Sequence, residues 1–115
     1  MSEIRTNRIA AQIREEISRM IIQGKIKDPR VTSYLSVTDV RVSRDVSTAK
    51  VYISSFENAA ELKTGVDGLN HAAGFIQSRL AKHLHTRNTP RLQFIDDHSV
   101  EYGIKMIKKI EDLNI

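Results

Sequence analysis

The apolar residues of this chain fall into runs whose spacing switches between a helical period and strict alternation. Ile9, Ile13, Ile17 and Met20 lie on one stripe with Ile21 beside it, while Arg14, Glu15 and Arg19 fall mostly elsewhere, which predicts an amphipathic first helix. Thr6 or Asn7 suits its start and Gly24 its end, and Asp28-Pro29 stops it from going further. Leu35-Ser36-Val37 and Val40-Arg41-Val42 each alternate, but out of phase, so a bulge is expected near Thr38-Asp39. After a turn through Arg44-Asp45-Val46-Ser47, Ala49, Val51 and Ile53 alternate with Lys50, Tyr52 and Ser54, completing an antiparallel hairpin.

From Leu62 to Leu84 the helical spacing returns through Leu62, Val66, Leu69, Ala73, Ile76, Leu80 and Leu84, interrupted by Ala72-Ala73-Gly74. Gly in an exposed helix interior costs roughly 1 kcal/mol relative to Ala, so Gly74 marks a kink or a close approach of another backbone. The kinked helix is expected to end through Arg87-Asn88-Thr89-Pro90. Leu92 and Phe94 then alternate in a short strand, with Pro90 at its start as on an edge strand. Val100, Ile104, Ile107 and Ile110 mark a C-terminal helix, with Ser99 as its cap and Lys105, Lys108 and Lys109 toward its end. The order α-β-β-kinked α-β-α predicts an α+β fold, a three-stranded sheet with helices on one face and Lys50 and Tyr52 on the open one.

The 115 residues suit a single domain, 1–115, and leave little room for a catalytic module. Cysteine is absent, which excludes disulfides, thiolate metal sites and a Cys nucleophile. With no apolar leader and no membrane-length run, a soluble cytoplasmic protein is expected. The net charge of +4 favours a polyanionic partner. Its distribution adds more: from Leu69 to Ile95 there is no Asp or Glu, while Arg79, Lys82, Arg87 and Arg91 occur with His71, His83 and His85. Arg79 and Lys82 are three apart, neighbours on a helix surface, and with His83, Arg87 and Arg91 they are candidates to meet phosphates. Arg5, Arg8, Lys25, Lys27, Arg30, Arg41 and Arg44 can extend that surface, although Glu15, Glu16, Asp28 and Asp45 among them make some ordinary solvated charges. Tyr52 and Phe75 can stack on bases, but packing is the commoner role for single aromatics at such positions. Gly74 has two compatible readings, as a helix-packing residue and as one that positions backbone for RNA.

Several strings carry more than a fold. Asn7-Arg8-Ile9, Lys27-Asp28-Pro29-Arg30-Val31, Leu35-Ser36-Val37-Thr38, Ala49-Lys50-Val51-Tyr52-Ile53, Ala72-Ala73-Gly74 and Thr89-Pro90-Arg91-Leu92 through Phe94 closely resemble bacterial ribosome-binding factor A, in the expected order from about Asn7 to Lys109. The resemblance implies a type II KH-like domain in which an Ala-x-Gly kink, here Ala72, Ala73 and Gly74, replaces the glycine loop of nucleic-acid-binding KH domains. It implies a monomeric binding factor, not a nuclease. Such a factor engages free small (30S) ribosomal subunits and their rRNA, not translating ribosomes, and assists late rRNA processing and maturation, especially in the cold. Relatives often carry a basic tail beyond this domain; with the last residue at Ile115, the expectation is that such a tail is absent, short or removed.

Two other readings compete. A protein-interaction adaptor without direct RNA contact would use the open sheet face or the C-terminal helix. A small α/β enzyme would use Asp96-Asp97-His98, but adjacent side chains at a strand end diverge, and no further ligand set is spaced to join them. Neither catalysis, a metal nor a cofactor is expected, and no P-loop or nucleophile elbow is present.

Overall fold

A computed structural model of the chain describes residues 2–84 and 86–99. The elements are α1 (Ser2–Ile22), β1 (Leu35–Val42), β2 (Thr48–Ser55), α2 (Ala59–His71), α3 (Ala73–Ala81) and β3 (Arg91–Asp96). The expected C-terminal helix, Val100 to Ile110, and His85 lie outside the described residues.

The stripe on α1 is buried as its spacing requires: Ile9, Ile13, Ile17, Met20 and Ile21 all face the core. Gly24 ends the helix at φ 64°, where its N–H bonds the Ile21 carbonyl at 3.2 Å and the Lys25 N–H bonds the Met20 carbonyl at 2.9 Å. This is a Schellman turn, and the positive φ is why Gly occupies it. The start differs from the expectation. The helix begins at Ser2, so Thr6 and Asn7 lie inside it and cap nothing; the Thr6 hydroxyl donates to the Glu3 carbonyl at 3.1 Å. Glu3, Ile4 and Arg5 contain no helix breaker, and Glu3 suits the positive end of the helix dipole, so the helix runs through them.

The out-of-phase strand is one strand with a bulge, where the pairing of β1 with β2 shifts between Val37 and Asp39. Thr38 is the extra residue, and the bulge lets Leu35, Val37 and Val40 all reach the core. Its hydroxyl is 2.6 Å from Asp97 Oδ2 and 3.3 Å from the Tyr52 carbonyl. In the hairpin turn Val46 is buried at φ 60°, an unusual backbone for a β-branched residue. Hydrogen bonds among Ser43, Asp45 and Ser47 hold that turn.

The strand order is β1-β2-β3, with β1 antiparallel and β3 parallel to β2, so β3 is the edge strand the position of Pro90 suggested. The α2–α3 pair makes the crossover between the parallel strands. α1 packs on β1, α2 on β2 and β3, and α3 on β3. All three therefore cover the face carrying Val37, Val51, Ile53, Leu92 and Phe94. The outer edge of β3 is also covered: Asn70 bonds both the N–H and the carbonyl of Phe94, at 2.9 and 3.0 Å, and Gln77 accepts from the Leu92 N–H at 3.0 Å.

The kinked helix is real, but its details correct the sequence reading. Asn58 caps α2, its side-chain oxygen accepting from the Glu61 N–H at 2.9 Å. The joint is Ala72, at φ −88°, ψ 4°, and Gly74 lies past it in the first turn of α3. Gly74 is exposed, and a Cβ there would meet nothing within 4 Å, so it is not a helix-packing residue. The close approaches occur at glycines the pattern hid. A Cβ on Gly65 would come within 2.7 Å of the Leu35 side chain, and one on Gly68 within 2.8 Å of Arg30 Cβ. α3 also stops at Ala81, short of Arg87; it tightens through bonds from Lys82, His83 and Leu84 back to Arg79 and Leu80, which buries Leu84. The His, Thr and Asn residues that follow are poor helix formers.

Candidate nucleic-acid interface

The basic candidates do not form one patch. The structure distributes them over several separate surfaces. At the carboxyl ends of α1 and α3, Lys25, Arg79 and His83 line a shallow cleft of about 270 Å³ together with Arg19, Gln23 and Glu16. Arg19 is held by Glu15 and Glu16, both at 3.0 Å, so its charge is largely spent within α1. Lys25 and Arg79 have no ion pair among the described residues. Lys82, the C-cap of α3, is exposed next to them. The Arg79 guanidinium lies 6.0 Å from the centroid of the Phe75 ring one turn earlier, and Phe75 is itself exposed.

Arg87 follows the helix instead of riding on it. It meets Arg5 across a second depression of about 460 Å³, between the start of α1, the hairpin turn at Val46 and Ser47, and Thr86–Thr89. Arg41 and Arg44 line a third with Glu3 and Asp39. There Arg41 Nε bonds Asp39 at 3.1 Å, which reduces its value to an anion. Arg8 is exposed on α1, and Arg91 is exposed on β3.

Lys27 and Arg30 stand near the kink in different states. Lys27 is exposed and borders a small hollow of about 170 Å³ with Asp28, His71, Ala72 and Phe75. Arg30 is tied down: its Nε and Nη2 bond the two oxygens of Asp28 at 3.0 and 2.8 Å, and its own N–H bonds Asp28 Oδ1 at 2.9 Å. These bonds from Arg30 hold the Asp28 carboxyl at about 2, below its ordinary range. His71 Nδ1 is 3.6 Å from the same carboxylate. Arg30 therefore braces the loop against α2 at Gly68, and its role as a free phosphate contact loses its main support.

Asp97 diverges from both its chain neighbours, but Asp96 and His98, two residues apart, come together. Asp96 pairs with His98 at 2.7 Å, while Asp97 takes the Thr38 hydroxyl and the Ser99 N–H. Both carboxyls are lowered by those hydrogen bonds, and among the described residues no group of three or more potential metal ligands converges. Nor is any described helix long and apolar enough to cross a membrane.

Asn70 and Gln77, which fasten the kinked pair to the edge strand, escaped the sequence reading. Their seven-residue spacing, two helical turns apart on one face, was the available signal.

A family model described as ribosome-binding factor A matches residues 5–110. The ribosome-binding factor A of Treponema denticola is 55% identical over 113 residues, covering 98% of this chain and 86% of that protein. Among solved structures, the crystal structure of ribosome-binding factor A from Thermus thermophilus superposes with a TM-score of 0.68 at 27% identity, over 79% of this chain and 93% of the other. A homology model of the Thermus thermophilus factor, fitted into the cryo-EM map of a complex with the 30S subunit, gives a TM-score of 0.61 at 27% identity, over 77% of this chain and 91% of the other.

Proposed function

The chain belongs to the ribosome-binding factor A family, and from that premise we propose that it binds the immature small ribosomal subunit through its rRNA and assists late rRNA processing, including in the cold. The carrying observation is the convergence of Lys25, Arg79 and His83 at the carboxyl ends of α1 and α3, beside exposed Lys82. Two elements distant in sequence put cations together there, and although Arg19 offsets only one of the two carboxylates of Glu15 and Glu16 that it bridges, Lys25, Arg79 and Lys82 keep the cluster positive. Arg5 and Arg87 extend the surface past the end of α3. The relative fitted into a 30S complex supports the choice of partner.

No chemistry is required. A factor that prefers one conformation of the rRNA holds it by differential affinity, and leaves when maturation removes that preference. In the cold, trapped RNA conformations rearrange more slowly, so a factor that biases them matters more. We take the protein to act as a monomeric KH-like domain, in the cytoplasm, on free subunits.

The test is co-sedimentation with mature and immature small subunits across a salt series. Wild type should prefer the immature subunit and release steeply as salt rises, because each phosphate contact released takes counterions back. Arg79→Glu with Lys82→Glu should weaken binding by at least about tenfold, as like charges replace attraction at phosphate. Binding that ignores both salt and the double reversal would refute the proposed surface.

A further inference from the structure

The sheet face that the helices leave open has a chemistry of its own. Along β2, Lys50 and Tyr52 alternate with buried Ala49, Val51 and Ile53, Ser54 comes next on the same side, and Phe56 lies just past the end of the strand. In the register of β1 and β2, Arg41 stands opposite Lys50 and Asp39 opposite Tyr52. At the other end of the hairpin the Phe56 N–H bonds the Tyr34 carbonyl at 3.1 Å, which sets these two aromatics across from each other. β3 places Gln93 beside Lys50, Ile95 beside Tyr52 and Arg91 beside Thr48. The face is therefore graded, with cations at one end, Tyr52 in the middle and an aromatic pair at the other.

Phe56 is 82% exposed and Tyr34 54%, a large apolar area to leave in water. Phe56 follows the last residue of β2, up to about 13 Å along the chain from Tyr52, which gives room for more than one stacked base. Lys50 and Arg91 have no ion pair among the described residues. The carboxylates on this face are already engaged, Asp39 by Arg41 and Asp97 by Thr38. The Arg41 guanidinium sits 5.6 Å from the Tyr52 ring centroid, so a cation already marks the aromatic surface a base would share.

We infer that the open sheet face is a binding site for a short single strand of RNA. Bases stack on Tyr52 and on the Tyr34–Phe56 pair, and phosphates run past Lys50 and Arg91. The charge favours RNA over a protein: Arg41 offsets Asp39, and Lys50 and Arg91 outnumber Asp97, which keeps its charge although Thr38 donates to it, while Ser54 and Gln93 supply hydrogen bonds of the kind base edges and riboses use. Aromatic side chains on a sheet with flanking cations are a sequence-tolerant way to hold unpaired nucleotides. The inference rests on the reading that the chain binds rRNA, and it adds a second surface on the side of the sheet away from the helices. One molecule then engages two RNA segments at once.

The probe is a short fluorescent single-stranded RNA of mixed sequence, titrated in parallel with small-subunit co-sedimentation. Tyr34→Ala with Phe56→Ala, and separately Tyr52→Ala, should each weaken oligonucleotide binding by at least about tenfold. Tyr52→Phe, which keeps the ring, should not, and Arg79→Glu with Lys82→Glu should change it far less than it changes subunit docking. Tyr34 and Phe56 are exposed, so their double variant should melt as wild type does. Unchanged oligonucleotide binding in both alanine variants overturns the inference. It is also overturned if wild type ignores the oligonucleotide but still sediments with subunits, a result that leaves the proposed function standing. Failure of wild type in both assays removes both. If the alanine variants lose only a salt-insensitive part of subunit docking, the face meets a ribosomal protein and the RNA assignment is wrong.

Discussion

α2 and α3 meet at Ala72 with little in common beyond it. The 13 residues of α2 bury Leu62, Gly65, Val66, Gly68 and Leu69, whereas the nine of α3 bury only Ile76 and Leu80. Two glycines let α2 close onto Leu35 and Arg30, and the single glycine of α3 faces open space. Asn70 gives β3 two hydrogen bonds from α2, and Gln77 gives it one from α3. The first half of the pair is thus built into the core. The second is attached lightly and carries Arg79, with Lys82 at its end, outward. A kink separates these tasks, because an unbroken helix would keep both halves on one axis and make the glycine-packed face of α2 fix the direction of the cations as well.

The contrast is easiest to break at Asn70. Asn70→Ala removes both partners of the Phe94 backbone, a part-buried N–H and carbonyl, and should cost about 2 kcal/mol. Urea unfolding measures the loss, and amide exchange at Phe94 should quicken with it. Wild-type stability would mean that water replaces the side chain at no cost and that α2 is not fastened to the edge strand.

Gly68→Ala comes next. The new methyl would lie 2.8 Å from Arg30 Cβ, 3.1 Å from Val31 Cγ2 and 3.2 Å from Asp28 Oδ1. Arg30 Cβ sits next to the backbone and cannot swing aside as a side-chain end can, so overpacking of roughly 1–3 kcal/mol should outweigh the ~1 kcal/mol that Ala gains in helix propensity. Thermal melting should show a midpoint lowered by several degrees. An unchanged or raised midpoint would refute the close approach.

These two residues also show where sequence reasoning stops. The stripe on α1, the bulge after Val37 and the alternation of β2 were legible because burial imposes a period on apolar residues, and a shift in period leaves a visible fault. Gly65 and Gly68 leave none, since a glycine has no side chain to place in a pattern. Their need arises from residues about thirty or more positions away, which only the fold brings near. Gly74 interrupts the period beside two alanines, which makes the kink at Ala72 legible to within two residues. The same logic separates the cations. Lys82 is exposed and Arg79 half-buried near the end of α3, and neither has an ion pair among the described residues. Arg30 and Arg41 looked no different in sequence, yet Asp28 and Asp39, each two residues away, hold them. A two-residue spacing favours such a pair in an extended or turning segment and not in a helix, so the signal depended on knowing the local backbone first.

The smallest effect tests the comparison most finely, because it reverses the sign of the same substitution six residues on. At Gly74 a Cβ meets nothing within 4 Å, and the residue sits inside a regular helix, not at a positive φ. Gly74→Ala should therefore raise stability, by about 0.5 kcal/mol, because Ala restricts the unfolded chain and favours the first turn of α3 without touching a neighbour. Chemical denaturation of Gly68→Ala and Gly74→Ala side by side should show one midpoint falling and the other rising. If Gly74→Ala lowers stability, α3 is held closer to the rest of the molecule than its exposure indicates, and the division between a packed and a presented half fails. If stability rises while subunit binding drops, the missing Cβ serves the partner: RNA backbone would then approach Gly74 directly, and the interface would begin at the kink instead of at Arg79.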